Sequence, residues 1–74
     1  MTAAAIQPSW RALTPNQEAL LNIVNTYALT GRSFEEMVDT AHRSERLFPG
    51  GAPLRSEIKT DLLKLVDMGL VRVS

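Results

Sequence analysis

The sequence predicts a small, mainly α-helical (all-α) domain in which three helices are followed by one short C-terminal β-strand. Two capping boxes, each a hydroxyl residue followed three residues later by Gln or Glu, begin segments with helical apolar spacing. A third apolar stripe ends at a glycine, and residues 70–74 after it have the composition of a strand. At 74 residues the chain is short enough for a single domain. We expect that domain over residues 10–74 and a flexible arm over residues 1–9.

The first helix is predicted to begin at Thr14, which caps it, with Pro15 at the first helical position and Gln17 completing the capping box. Its apolar side chains share an arc of about 160°: Leu20, Leu21, Ile23, Val24, Tyr27 and Ala28. Gly31 is expected to end this helix in the left-handed conformation.

The second helix is predicted to begin at Ser33, which forms a capping box with Glu36. Its core side chains follow the i, i+3, i+4, i+7 pattern: Phe34, Met37, Val38 and Ala41. The polar residues 42–46 finish the helix, and the Pro- and Gly-rich residues 49–53 form a loop.

The third helix is expected to begin near Pro53 or Leu54, with Ser56 as an alternative cap, and to end at Gly69. Its predicted buried stripe consists of Leu54, Ile58, Leu62, Leu65 and Val66. Leu70 is expected to fold back on Leu65 in a Schellman arrangement. A strand at residues 70–74 would need a pairing partner, which is the segment 30–33, the N-terminal arm or another molecule.

Composition excludes several classes of function. The chain has no cysteine and one histidine, His42, so disulfides, thiolate metal sites and the usual zinc sites are not expected. We identify no pair of titratable groups suited to acid–base catalysis, and we predict neither an enzyme nor a cofactor. No segment has the length and hydropathy of a membrane span or the pattern of a signal peptide, so a cytoplasmic protein is expected.

Residues 54–73 resemble the third helix and first wing strand of a winged helix-turn-helix domain. The specific part is Leu65-x-x-x-Gly69-Leu70-Val71, and residues 14–73 fit the helix order of that family, with a short bridging strand implied at 30–33. The connection at 47–53 is longer than a tight helix-turn-helix allows, and the sequence contains no second wing strand. The resemblance implies a small DNA-binding regulator whose third helix enters the major groove.

Six residues are candidates for contact with DNA. Arg55, Ser56, Lys59 and Thr60 are expected to meet the groove, and Arg43 and Arg46 to contact phosphates. The charges are balanced over the chain, with eight basic and eight acidic residues, which argues against indiscriminate binding to nucleic acid. Glu57, Asp61 and Asp67 on the third helix would repel phosphates. We therefore expect a homodimer, because two half-sites raise the affinity of so small a domain.

The alternative is a winged-helix-like adaptor or subunit that binds a protein and no DNA. Leu63 and Leu29 fall outside the predicted stripes, and Leu47 and Phe48 open a loop. Together with an unpaired terminal strand they would form a docking surface. Each of these residues is also explained by ordinary core packing, as are Trp10 and Tyr27.

Overall fold

The computed structural model describes residues 13–74 and is mainly helical, as predicted. Its three helices are α1 (Pro15–Thr26), α2 (Phe34–Arg43) and α3 (Arg55–Asp67), with a single 3₁₀ turn at Glu45–Leu47. Helix α3 packs against both α1 and α2, and the core lies between the three. The predicted arm at 1–9 and the first residues of the predicted domain lie outside the described part of the chain.

The first two helices begin where the capping boxes predicted. The Thr14 hydroxyl accepts the Gln17 backbone N–H at 3.1 Å, and the Gln17 side-chain oxygen accepts the Thr14 N–H at 3.0 Å. The Ser33 hydroxyl accepts the Glu36 N–H at 3.2 Å, and the Glu36 carboxylate accepts the Ser33 N–H at 3.5 Å. These reciprocal bonds satisfy backbone donors that a helix leaves free at its N-terminus.

Helix α3 begins without a hydroxyl cap. Leu54 occupies the cap position with extended backbone, and the Glu57 carboxylate accepts its N–H at 2.8 Å. The alternative cap Ser56 lies inside the helix instead. The prediction that Leu54 is buried is wrong: its side chain is 67% exposed, because its extended cap position does not follow the helical stripe.

The end of α1 differs from the prediction. Gly31 is not the helix stop; Ala28, at φ 52°, takes the left-handed position directly after the C-cap. The Leu29 N–H donates to the Val24 carbonyl at 2.9 Å, and the Ala28 N–H donates to the Asn25 carbonyl at 3.3 Å. This is a Schellman motif formed around an alanine, three residues before the nearest glycine.

The end of α3 agrees with the prediction. Gly69 has φ 79°, and the Leu70 N–H donates to the Leu65 carbonyl at 3.0 Å. The Gly69 N–H donates to the Val66 carbonyl, also at 3.0 Å. Both bonds of the Schellman motif are present, and they direct the chain back along the helix bundle.

The predicted strand at 70–74 is not formed, nor is the bridging strand implied at 30–33. The two segments nevertheless lie side by side and are joined by two backbone hydrogen bonds. The Gly31 N–H donates to the Arg72 carbonyl at 2.8 Å, and the Ser74 N–H donates to the Arg32 carbonyl at 3.0 Å. Because Gly31 turns the chain with φ 89°, segment 30–33 is not extended enough to carry a regular ladder.

The core contains most of the predicted apolar stripes. The buried side chains are Leu20, Ile23, Val24, Leu29, Met37, Val38, Ala41, Phe48, Ile58, Leu62, Leu65 and Val71. Leu29 and Phe48, which the alternative function placed on a docking surface, are therefore core residues. Tyr27 and Ala28, predicted to face the core, are exposed because α1 ends before them.

We expect Ala28→Gly to stabilise the protein by about 0.5–1 kcal/mol. Relief of the left-handed strain of an alanine outweighs the extra freedom that glycine gives the unfolded chain. The free energy of unfolding in urea measures the change. Ala52→Gly, an exposed loop alanine without positive φ, is the matched control and should destabilise. A destabilising Ala28→Gly would contradict the strained geometry.

We expect the Glu36→Gln variant to lose less stability than the wild type when the pH is lowered. The pKa of Glu36 lies below its ordinary value of 4.5, chiefly because its carboxylate accepts the Ser33 backbone N–H and also bonds Arg32. A lowered folded-state pKa stabilises the protein above the unfolded pKa, and this contribution disappears as pH falls through the folded value. Urea midpoints measured on both sides of about pH 4.5 should therefore differ less in the variant. Glu45→Gln is the control and should keep the wild-type acid profile.

Candidate nucleic-acid interface

Helix α3 turns one side to the core and presents another to solvent. Ile58, Leu62 and Leu65 are buried. Away from them lie side chains that are exposed or, for Lys59, half-buried, and we call these the outer face of α3: Ser56, Lys59, Thr60, Leu63, Lys64 and Asp67. Three of the predicted groove residues, Ser56, Lys59 and Thr60, therefore share one surface. With two lysines and one aspartate, this face is net positive.

The two acidic residues in the first half of α3 each accept a hydrogen bond from a donor within the protein. The Glu57 carboxylate accepts the Leu54 backbone N–H at 2.8 Å. The half-buried Asp61 accepts a hydrogen bond from the Gln17 amide of α1 at 3.1 Å. Both carboxylates nevertheless border one hollow with Ser56 and Thr60, so they lie close to the hydroxyl groups of the outer face.

Arg55 is held by helix α2. Its guanidinium donates to the Glu35 carboxylate at 3.2 Å and to the Asp39 carboxylate at 2.5 Å. The hydrogen bond to Asp39 is the main reason that the pKa of Arg55 lies above its ordinary value; Glu35 contributes to a smaller extent, and partial desolvation opposes both. Both bonds come from Nη2, which belongs to each edge of the guanidinium that can form a bidentate contact, so a bidentate guanine contact of Arg55 would have to displace at least one of them.

The two predicted phosphate contacts lie at the other end of α2. Arg43 is the last residue of the helix, Arg46 belongs to the 3₁₀ turn, and both are exposed. They border a shallow depression together with Tyr27 and Leu47. The hydrogen bonds and ion pairs within residues 13–74 do not join this pair to the outer face of α3.

A second surface, which sequence reasoning missed, is a groove along α1. It has a volume of about 740 Å³, and Leu47 and Pro49 form one wall opposite the helix. The apolar residues on the helix side are Ala19, Ile23 and Tyr27. Tyr27 is 50% exposed and Leu47 53% exposed, which is unusual for such large apolar side chains on one small surface. We refer to this feature as the α1 groove.

Thr60 has restricted hydrogen-bonding capacity. Its hydroxyl donates to the Ser56 carbonyl one turn earlier at 3.0 Å. The hydroxyl hydrogen is therefore in use, and the oxygen remains able to accept a bond from a ligand. Ser56 is exposed in the first turn of α3. On adjacent turns of the outer face, the Ser56 hydroxyl can therefore donate or accept a hydrogen bond, whereas the Thr60 hydroxyl can only accept one.

Residues 13–74 contain no cluster of three or more His, Cys, Asp or Glu side chains arranged to bind a metal ion. None of α1, α2 and α3 has the length and hydropathy needed to cross a bilayer. His42 is exposed near the end of α2.

We expect Gln17→Leu to destabilise the protein by about 1–3 kcal/mol. Gln17 is only 5% exposed, and leucine in its place would leave the Thr14 N–H and the Asp61 carboxylate without their partner. Urea unfolding measures the cost. The control is Asn25→Leu, an exposed position on the same helix, which should change stability by less than about 0.5 kcal/mol. Equal losses of unfolding free energy in Gln17→Leu and Asn25→Leu would show that the hydrogen bond to Asp61 is unimportant.

Comparison with known proteins gives no relative for this chain. No family model matches it, and neither the curated proteins nor the solved structures contain a match.

Proposed function

We propose that this protein is a small cytoplasmic DNA-binding regulator of the winged-helix type, with the outer face of α3 in the major groove. The observation that carries the proposal is the exposed polar surface of α3, which contains Lys59 and Lys64. The Asp61 carboxylate is half-buried and accepts from Gln17 of α1, and the Glu57 carboxylate accepts from the Leu54 N–H. The two lysines can bind phosphates, whereas Glu57 and Asp61, which border one hollow with Ser56 and Thr60, weaken the attraction.

Each group on the outer face has a contact that suits duplex DNA. Lys59 and Lys64 would bind phosphate oxygens and supply affinity independent of sequence. Ser56 can donate to or accept from a base edge, whereas Thr60 would accept from an adenine or cytosine amino group. The exposed Leu63 would contact a thymine methyl group.

The overall architecture supports the winged-helix assignment. The order of the three helices matches that family, and the chain turns at Gly69 and passes beside segment 30–33, as a first wing strand would. The contact consists of two hydrogen bonds rather than a ladder. The wing in this proposal is therefore minimal, and α3 supplies most of the contacts.

Affinity is expected to be modest for one domain. Glu35 and Asp39 together carry one more charge than Arg55 neutralises, so the edge of α3 next to α2 is acidic. A homodimer on two half-sites would compensate, because contacts from both copies then add. Arg43 and Arg46 remain candidates for phosphate contacts at the end of α2.

Salt-dependent binding to a mixed-sequence duplex pool tests this proposal. We expect a linear dependence of log affinity on log salt, and Lys59→Gln should reduce its slope by about 0.9, the loss of one phosphate contact. Arg32→Gln removes the same charge from a residue paired with Glu36 outside α3, and should leave the slope unchanged. The double variant Glu35→Gln, Asp39→Asn should bind more tightly, because it removes two repelling charges and frees Arg55.

Absence of binding at about 50 mM salt, where phosphate contacts are strong, would contradict the proposal. The second candidate is then a winged-helix-like protein-interaction module. The exposed Leu54 and Leu63 on α3, together with the α1 groove, favour it over any enzymatic role.

A further inference from the structure

We propose that residues 6–12 of this chain bind in the α1 groove, with the Trp10 side chain as the main anchor. The groove has a volume of about 740 Å³, and the half-exposed side chains of Tyr27 and Leu47 line it. Its occupant would be supplied by the same chain, so the site would be filled at any protein concentration.

The groove has the shape and composition of a site for an extended apolar segment. Ala19 and Ile23 form its floor on α1, and Tyr27 closes one end. Leu47 and Pro49 form the facing wall from the segment after α2. Tyr27 and Leu47 each leave about half of their surface in water, so an inserted side chain would bury apolar surface on both sides.

The described part of the chain begins close to one end of this groove. Leu13 is half-buried and packs against the core, and the Thr14 N–H is bound by Gln17. Pro15, two residues later, borders the groove itself, opposite Pro49. Pro15 and Pro49 also border a second hollow of about 550 Å³ at the same end. Thr14 borders this second hollow as well, so the described chain begins at the same end of α1.

The length of the segment matches the groove. Trp10 lies three residues before Leu13, a reach of up to about 10 Å. Ile23 lies eight residues after Pro15, about 12 Å along α1. With Leu13 as the fixed point, the indole can reach the middle of the groove when the segment runs back along the helix.

The chemistry of the segment also fits. Trp10 and Ile6 are large apolar side chains, and Pro8 between them favours extended backbone at Gln7. Arg11 is the one charged side chain in residues 6–12, and Glu18 borders the groove. The opposite charges of Arg11 and Glu18 would set the direction in which the segment lies.

This inference is independent of the proposed DNA contact. The groove is formed by α1 and residues 47–49, and none of the residues on the outer face of α3 borders it. Loss of DNA binding would therefore leave the groove proposal standing, and an empty groove would leave the DNA proposal standing.

Trp10 is the only tryptophan, so its fluorescence in the full chain reports its environment directly. We expect blue-shifted emission and weak quenching by acrylamide. Leu47→Ser and Tyr27→Ser should each shift the emission to longer wavelength and increase quenching, while circular dichroism shows the helices intact. The control is Leu63→Ser, which changes an equally exposed leucine outside the groove and should leave both signals unchanged.

Three outcomes would overturn the proposal. The first is wild-type emission like that of free tryptophan. The second is a blue shift that Leu47→Ser and Tyr27→Ser leave unchanged, which would place Trp10 elsewhere. The third is a blue shift that disappears on dilution, which would mean that the groove of a second copy binds the segment. If Trp10 is exposed in the isolated chain and its emission shifts to the blue only when a partner protein is added, the partner rather than the α1 groove of the same chain buries the indole.

Discussion

The position of α3 between the other two helices determines everything that the domain presents to solvent. Ile58, Leu62 and Leu65 bury one side of the helix, and an apolar stripe of this kind stabilises by about 1.5–3 kcal/mol per side chain. Two polar links then fix its edges. Asp61 is bonded to α1, and Arg55 to α2. Because these contacts hold α3 on three sides, its rotation about its own axis is fixed. That rotation determines which residues form the outer face.

Helix starts were predictable because their signals are local. A hydroxyl residue and a Glu or Gln three positions later satisfy each other's backbone within one turn, whatever the rest of the chain does. Helix ends were less predictable, since several residues can adopt the left-handed conformation. Gly69 ends α3 as expected, but α1 ends at Ala28, and Gly31 instead donates its N–H to Arg72. An alanine tolerates φ 52° only when the surrounding contacts require it, here the burial of Leu29 against the core.

The candidate site was predictable in part. Periodicity alone placed Ser56, Lys59 and Thr60 on one exposed side of a helix, and the structure has them there. The partners of Arg55 lie sixteen and twenty residues away in sequence, and no local pattern announces a contact over that distance. The α1 groove is not predictable from sequence for the same reason, because Leu47 and Pro49 on its facing wall are distant in sequence from the residues of α1 that they face.

The ion pairs of Arg55 have a cause in the helices themselves. Arg55 is the first residue of α3, where the helix dipole is positive and a cation is unfavourable. Glu35 lies in the first turn of α2, where the same dipole favours an anion, and Asp39 follows one turn later on the same side. When these two N-terminal regions lie together, Glu35 offsets the unfavourable interaction of the Arg55 cation with the dipole of α3. Glu35 at the same time keeps its favourable position at the start of α2. The neutrality of the chain thus includes charge compensation between helices, because carboxylates of α2 match the charge of Arg55.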